Sequence, residues 1–125
     1  MDDSASLASV PIRLTLSTST VDVETTSDRV VVRIAGELDM ADADQVGDVL
    51  TEAVDSGKPT VIVELSDLKF ADSSAIKAIL IGAQAADERG VTYELVNPRG
   101  LVKRLLEVTG LDQALLVTHD SDASN

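Results

Sequence analysis

The sequence predicts an α/β fold: one domain in which helices pack on a mixed β-sheet of four to five strands. Three observations carry that prediction. Apolar β-branched runs alternate along most of the chain with longer segments of helical period. The two most secure early runs are joined by a short turn, as in an antiparallel hairpin, whereas later runs are separated by helices, as parallel strands require. A chain of 125 residues with 44% hydrophobic side chains is also large enough for one core. Only 2% of the residues are aromatic, so that core is aliphatic and alanine-rich.

Residues 1–18 read as a flexible N-terminal segment, Ser/Asp/Ala-rich to about Val10. Within it, Ile12, Leu14 and Leu16 alternate with Arg13, Thr15 and Ser17, so 12–17 is a candidate extra edge strand. The phase breaks at Ser19–Thr20 and restarts on the other parity at Val21 and Val23, which implies either a bulge or two separate pieces. Thr20–Thr25 and Arg29–Ala35 form the hairpin through Thr26-Ser27-Asp28, and Gly36-Glu37-Leu38-Asp39 ends its second strand. Ala41–Asp55 has helical period, and Asp39, Asp42 and Asp44 crowd its first turns, where the helix dipole favours negative charge. Gly57-Lys58-Pro59 stops it.

The central stretch is Val61–Ala86. An apolar strand (Val61, Ile62, Val63, Leu65) turns through Ser66–Asp67 and reaches Phe70-Ala71-Asp72-Ser73-Ser74-Ala75. Ile76, Ile79, Leu80, Ala83 and Ala86 then mark a helix that breaks at Arg89–Gly90. Gly82 in mid-helix costs roughly 1 kcal/mol against Ala, which close packing would explain. Val91–Val96 is a further strand. Asn97-Pro98 reads as an N-cap followed by proline at the first helical position. Gly110 closes that helix, Ala114–Val117 is a last strand, and 118–125 is a polar tail.

Composition narrows the function. A formal charge of −12 argues against nucleic acid and against an anionic membrane surface, and favours a protein partner with a basic surface. With no cysteine there is neither a disulfide framework nor a thiolate metal site. No apolar run approaches membrane-spanning length, and Met1-Asp2-Asp3 is the reverse of a basic signal-peptide start, so a cytoplasmic location is expected. No cofactor, metal or catalytic residue is predicted. His119, the one histidine, lies in the polar tail without a nucleophile elbow to serve, and no phosphate-cradling Gly-rich loop exists. Arg99, Lys103 and Arg104 form one basic cluster, best read as a solvated helix face.

The candidate site is Asp72-Ser73-Ser74-Ala75, where a buried strand hands over to a helix start. Such residues cap orphan N–H groups, and the same free donors and dipole suit an added phosphate. Capping alone is the plain reading of Asp72, and also of Asp39.

Taken together, the hairpin ending in Gly36-Glu37-Leu38-Asp39, the Phe70–Ala75 motif and the helix ending near Thr109-Gly110-Leu111 resemble a STAS domain, covering residues 19–117. More narrowly they resemble the bacterial anti-sigma factor antagonists. The resemblance implies that Ser73 is the phosphorylated residue and that Asp39, Asp72, Ser73, Ser74 and Ala75 contact a partner. That partner would be an anti-sigma factor of the histidine-kinase-like ATPase class, which phosphorylates the serine itself, with a serine phosphatase reversing it. The unmodified form would capture the anti-sigma factor and release a sigma factor. Two departures stand out: Ala75 occupies the family's usual glycine position, and 118–125 is too short and polar for the final helix of many relatives.

Two other classes compete. A phospho-aspartate receiver would use Glu37, Asp39 and Asp72, but it needs a longer βα repeat and a lysine at a late strand end. A non-phosphorylated STAS adaptor or scaffold subunit of another regulatory or transport complex would use the same helix face, and Ala75 favours it.

Overall fold

The computed structural model describes residues 11–119, so the expectations for 1–10 and for 120–125 lie outside the described residues. Its elements are β1 (Ile12–Thr15), β2 (Ser19–Thr25), β3 (Arg29–Leu38), α1 (Met40–Asp55), β4 (Thr60–Glu64) and β5 (Leu68–Ala71), followed by α2 (Ser73–Arg89), β6 (Thr92–Val96), α3 (Gly100–Thr109), α4 (Leu111–Ala114) and β7 (Leu116–Thr118). The fold class is the expected one, a mixed α/β sheet, but the sheet has seven strands rather than four to five. The two additional strands are β1 and β5, each of four residues.

Strand order is β1-β2-β3-β4-β6-β7, with β5 paired to β3 off that path. β1, β2 and β3 are antiparallel neighbours, and β3, β4, β6 and β7 run parallel. The parity break near Ser19 now has a cause. Ile12 pairs with Val23 and Leu14 with Val21 across a tight turn, so both runs put their apolar residues on one face. They are two pieces, not one bulged strand.

That face is the core face. Val21, Val30, Val32, Ile34, Val61, Val63, Tyr93 and Leu95 alternate inward from their strands and meet α1 and α2, which lie side by side. Helix α1 contributes Val46, Leu50 and Val54, and α2 contributes Ala75, Ile76, Ile79 and Ala86. The opposite face carries cross-strand charge pairs, Arg13–Asp22 at 2.7 Å and Arg33–Glu24 at 3.1 Å. Such exposed pairs fix register more than they add stability.

Two C-terminal expectations change. Asn97-Pro98 does not start α3, which begins at Gly100 with Arg99 as a cap residue making no side-chain cap bond. Asn97 has φ 58, its N–H donates to the Thr118 carbonyl, and its amide reaches the Glu64 carboxylate, so it is committed to the end of the parallel strands β4, β6 and β7. Ala114 closes the short α4 and β7 spans Leu116–Thr118, which places Thr118 in the sheet rather than in a tail.

Gly82 is a contact point between the helix layer and the sheet. A Cβ there would sit 2.5 Å from the Tyr93 hydroxyl oxygen and 3.2 Å from Leu50 Cβ. Tyr93 is buried and donates to the Ile79 carbonyl of α2 at 3.0 Å, so its ring has little room to retreat. Gly82→Ala is therefore expected to lose stability by about 1–3 kcal/mol through overpacking, despite alanine's higher helix propensity. Urea denaturation measures this, and adding Tyr93→Phe should recover part of the loss by removing the clashing oxygen.

Candidate functional site: paired helix starts at one end of the sheet

β3 changes partner along its length. Arg29–Arg33 pair in parallel with β4, and then Gly36, Glu37 and Leu38 pair in parallel with Leu68, Phe70 and Ala71 of β5, through a register irregularity at Gly36/Glu37. Because Leu38 and Ala71 are partners, the residues that follow them, Asp39 and Asp72, leave the sheet together. Each caps a helix: Ala41 N–H donates to Asp39 Oδ1 at 3.0 Å, and Ala75 N–H donates to Asp72 Oδ1 at 3.1 Å. Both caps have extended backbone, as N-cap residues do. The Asp72 N–H donates to the Leu38 carbonyl at 3.3 Å and ties the two exits to one another.

Asp39, Asp72, Ser73, Ser74 and Ala75 are thus brought to one end of the molecule, although they do not share one surface. Ser73 is the first residue of α2 and is exposed, whereas Ser74 is half-buried. Neither hydroxyl makes a hydrogen bond among the described residues, and the N–H groups of Ser73 and Ser74 lack an acceptor there too. Ala75 is wholly buried in the core, so its methyl faces inward, away from any surface a partner would meet. Met40 (76% exposed) and Phe70 (40% exposed) are large apolar side chains on the two exits themselves, next to the two caps.

Sequence reading missed what holds this end in place. Asp42, counted among the first-turn acids of α1, is fully buried and gathers the turn between β1 and β2. Its carboxylate accepts from the N–H groups of Ser17 (3.0 Å), Thr18 (2.9 Å) and Ser19 (3.0 Å) and from the Ser19 hydroxyl (2.8 Å). Burial works to raise its pKa, but the donors of Thr18, Ser19 and Ser17 outweigh it and hold the group down at about 2. Thr18 in turn clamps Glu37: its carbonyl accepts from Glu37 N–H at 2.9 Å, and its hydroxyl donates to the Glu37 carbonyl at 2.9 Å. A chain of hydrogen bonds therefore runs from α1 through the turn to the segment that delivers Asp39. The available signal was Ser17-Thr18-Ser19 facing an acid one helical turn after Asp39.

Other candidates lie elsewhere. Arg99, Lys103 and Arg104 are exposed on and beside α3. His119 is half-buried in a small cleft with Lys103, Glu107 and Asp112. Among the described residues, no group of three or more His, Asp or Glu side chains is arranged to hold a metal, and no helix is long and apolar enough to cross a membrane.

This sheet order, with two capped helix starts delivered side by side, is the architecture of a STAS domain, and comparison with known proteins agrees. The family described as "Mlab, STAS domain" matches residues 21–118. The chain belongs to the STAS domain family and, within it, to the anti-sigma factor antagonists. An anti-sigma F factor antagonist of Paenibacillus polymyxa is 30% identical over 82 residues, covering 65% of this chain and 70% of that one. The anti-sigma factor antagonist SpoIIAA in its unphosphorylated form superposes with a TM-score of 0.69 at 25% identity, covering 82% of this chain and 91% of that one. The Bacillus cell fate determinant SpoIIAA in its phosphorylated form gives 0.64 at 25% identity, covering 82% and 95%.

The Asp42 network makes a pH prediction. Its folded-state pKa, about 2, lies below the ordinary 3.8, so ionised Asp42 stabilises the fold above about pH 4 and that contribution is lost as pH falls towards 2. Asp42→Asn is expected to cost about 2–4 kcal/mol at neutral pH by leaving buried donors unsatisfied. In denaturation series the gap between wild type and Asp42→Asn should be constant above about pH 4 and narrow below it. A gap that does not narrow would show that the carboxylate charge plays no part.

Proposed function

We propose that this chain is an anti-sigma factor antagonist that binds an anti-sigma factor through the paired helix starts, thereby releases a sigma factor, and is switched off by phosphorylation of Ser73. The observation that carries the reading is the exposed, unbonded Ser73 hydroxyl at the N-terminus of α2, beside the Asp39 exit. The P. polymyxa relative and the SpoIIAA pair, one form unphosphorylated and one phosphorylated, support it.

The mechanism needs no refolding. A phosphate on Ser73 adds about −1.5 to −2 charges and three acceptors next to free first-turn N–H groups and the positive end of the α2 dipole. Those donors hold it locally. A partner that places a carboxylate or an apolar side chain over Ser73, beside Met40 and Phe70, then meets repulsion or must desolvate the phosphate. The buried Ala75 methyl presents nothing to an approaching kinase, so alanine in the family's glycine position is compatible with modification at the neighbouring serine. The anti-sigma factor would be of the histidine-kinase-like ATPase class and would itself transfer the phosphoryl group to Ser73 Oγ, with a serine phosphatase restoring the hydroxyl. Asp39 serves both as cap and as partner contact.

The test is binding of the anti-sigma factor from the same cell to wild type, Ser73→Ala and Ser73→Asp, with intact-mass analysis of each. Wild type and Ser73→Ala should bind, Ser73→Asp should bind at least about tenfold more weakly, and only wild type should carry a phosphate that Ser73→Ala lacks. Equal binding by all three without phosphate would instead mark a constitutive STAS adaptor. Asp39→Ala should cost about 1 kcal/mol of stability through its cap. A loss of affinity larger than that separates partner contact from capping.

A further inference from the structure

Behind Ser74 a groove runs between α1 and α2, away from the paired helix starts. Its floor is made of small residues, Gly47 and Ala78, whose helices approach so closely that a Cβ on Gly47 would touch Ala78 Cβ at 3.6 Å. Exposed Met40 and Ile81 stand on its sides, with Ile81 45% exposed. From Met40 to Thr51 it follows α1 for ~16 Å, about three helical turns.

The rim is electrostatically one-sided. Asp44 and Asp48 line it from α1, Glu52 continues the same exposed row one turn further on, and Lys77 is the cation that lines it from α2. Asp44, Asp48 and Glu52 take part in no ion pair among the described residues, whereas Asp55, at the end of the helix, pairs with Arg89. Like charges at i and i+4 repel, so Asp48 and Glu52, beyond the first turns that the dipole favours, weaken α1. Cations supplied from outside would reverse that.

We infer that this groove docks a basic amphipathic helix of the partner protein, with apolar side chains seated between Met40 and Ile81 over Gly47 and Ala78 and with Lys or Arg side chains on Asp44 and Asp48. The inference rests on the proposed function in making that partner the anti-sigma factor. A helix is the fitting occupant because two helix walls offer no free backbone edge to which a strand could add, and anchors at i, i+3 and i+4 match a groove three turns long. The contact is continuous with the helix starts but of opposite character. At the Ser73 helix start the partner is acidic or apolar, and along the groove it is basic. Phosphate on Ser73 therefore acts on the first contact while the groove supplies affinity and orientation.

The experiment compares wild type with Asp44→Lys/Asp48→Lys and with Asp87→Lys/Glu88→Lys. The latter is the same change of charge at exposed positions on another part of the surface. Circular dichroism checks that each folds. Against the anti-sigma factor, the α1 pair should weaken binding ~10-fold or more, with a reduced salt dependence, and the remote pair should leave it within about twofold. No loss, or equal loss from both pairs, overturns the proposal. Should wild type bind no anti-sigma factor, the proposed function fails and a second probe decides the groove: a Leu/Lys peptide of about 14 residues with helical period, titrated into the labelled full chain. Amide shifts at Gly47, Ala78 and Ile81 that vanish in Asp44→Lys/Asp48→Lys sustain it. Shifts spread over the acidic surface, or none, overturn it.

Discussion

Everything at the candidate site depends on β3 being longer than its first parallel partner. β4 accompanies it only as far as Arg33↔Glu64, after which the chain must supply another strand or leave the backbone of Gly36–Leu38 unpaired. β5 fills that place, and the change of partner happens at Gly36. There φ is +93, a Cβ would lie 2.6 Å from the Thr18 carbonyl oxygen, and the N–H donates to the Asp67 carbonyl at 3.0 Å. Only glycine fits both the left-handed backbone and the close approach. Once β3 and β5 end in register, two helices must start side by side, and two N-terminal dipole ends fall on one surface.

Such a surface would be loose if the β3 end were free to fray. Asp42 prevents that by exchanging the hydration of a carboxylate for the three N–H donors of Ser17–Ser19 and the Ser19 hydroxyl. An ionised buried group survives in a core when nearly all of its acceptor capacity is used, as here. Position and mobility are thus separated: strand register sets where Asp39 lies, and the Asp42–Thr18–Glu37 chain keeps it there. The exposed Ser73 side chain, in contrast, makes no hydrogen bond among the described residues.

The parts legible in the sequence are those whose signal is periodic. α1, α2 and the β2–β3 hairpin carry unbroken helical or alternating patterns, and the strand–helix handover at Asp72 follows from capping chemistry. β5 was invisible because Leu68-Lys69-Phe70-Ala71 is only four residues long, too short for its alternation to distinguish it from a turn. Asn97-Pro98 has the chemistry of a helix start, yet the Glu64 carboxylate and the Thr118 carbonyl, distant in sequence, hold Asn97 in a left-handed conformation. Asp42 looked like one more dipole-favoured acid. Its partners lie 23 to 25 residues away, and local reading cannot count donors that arrive from another strand. Ala75 illustrates the reverse: the departure from the family pattern was legible, but its consequence depended on which way a methyl points.

The arrangement also bears on the proposed charge switch. Stability resides in the aliphatic core and the Asp42 network, and neither includes a Ser73 side-chain contact. Modifying Ser73 therefore changes the potential at the surface without drawing on the free energy of folding. The acidic α1 row lies on the adjoining groove and takes no part in the core either. On the proposed reading, a partner that engages both carries acidic or apolar groups at the Ser73 end of its contact and basic groups along the groove. That two-part requirement would be a stricter filter than net charge, because a uniformly basic competitor would satisfy the groove and still bring no acceptor to the first-turn N–H groups of Ser73 and Ser74.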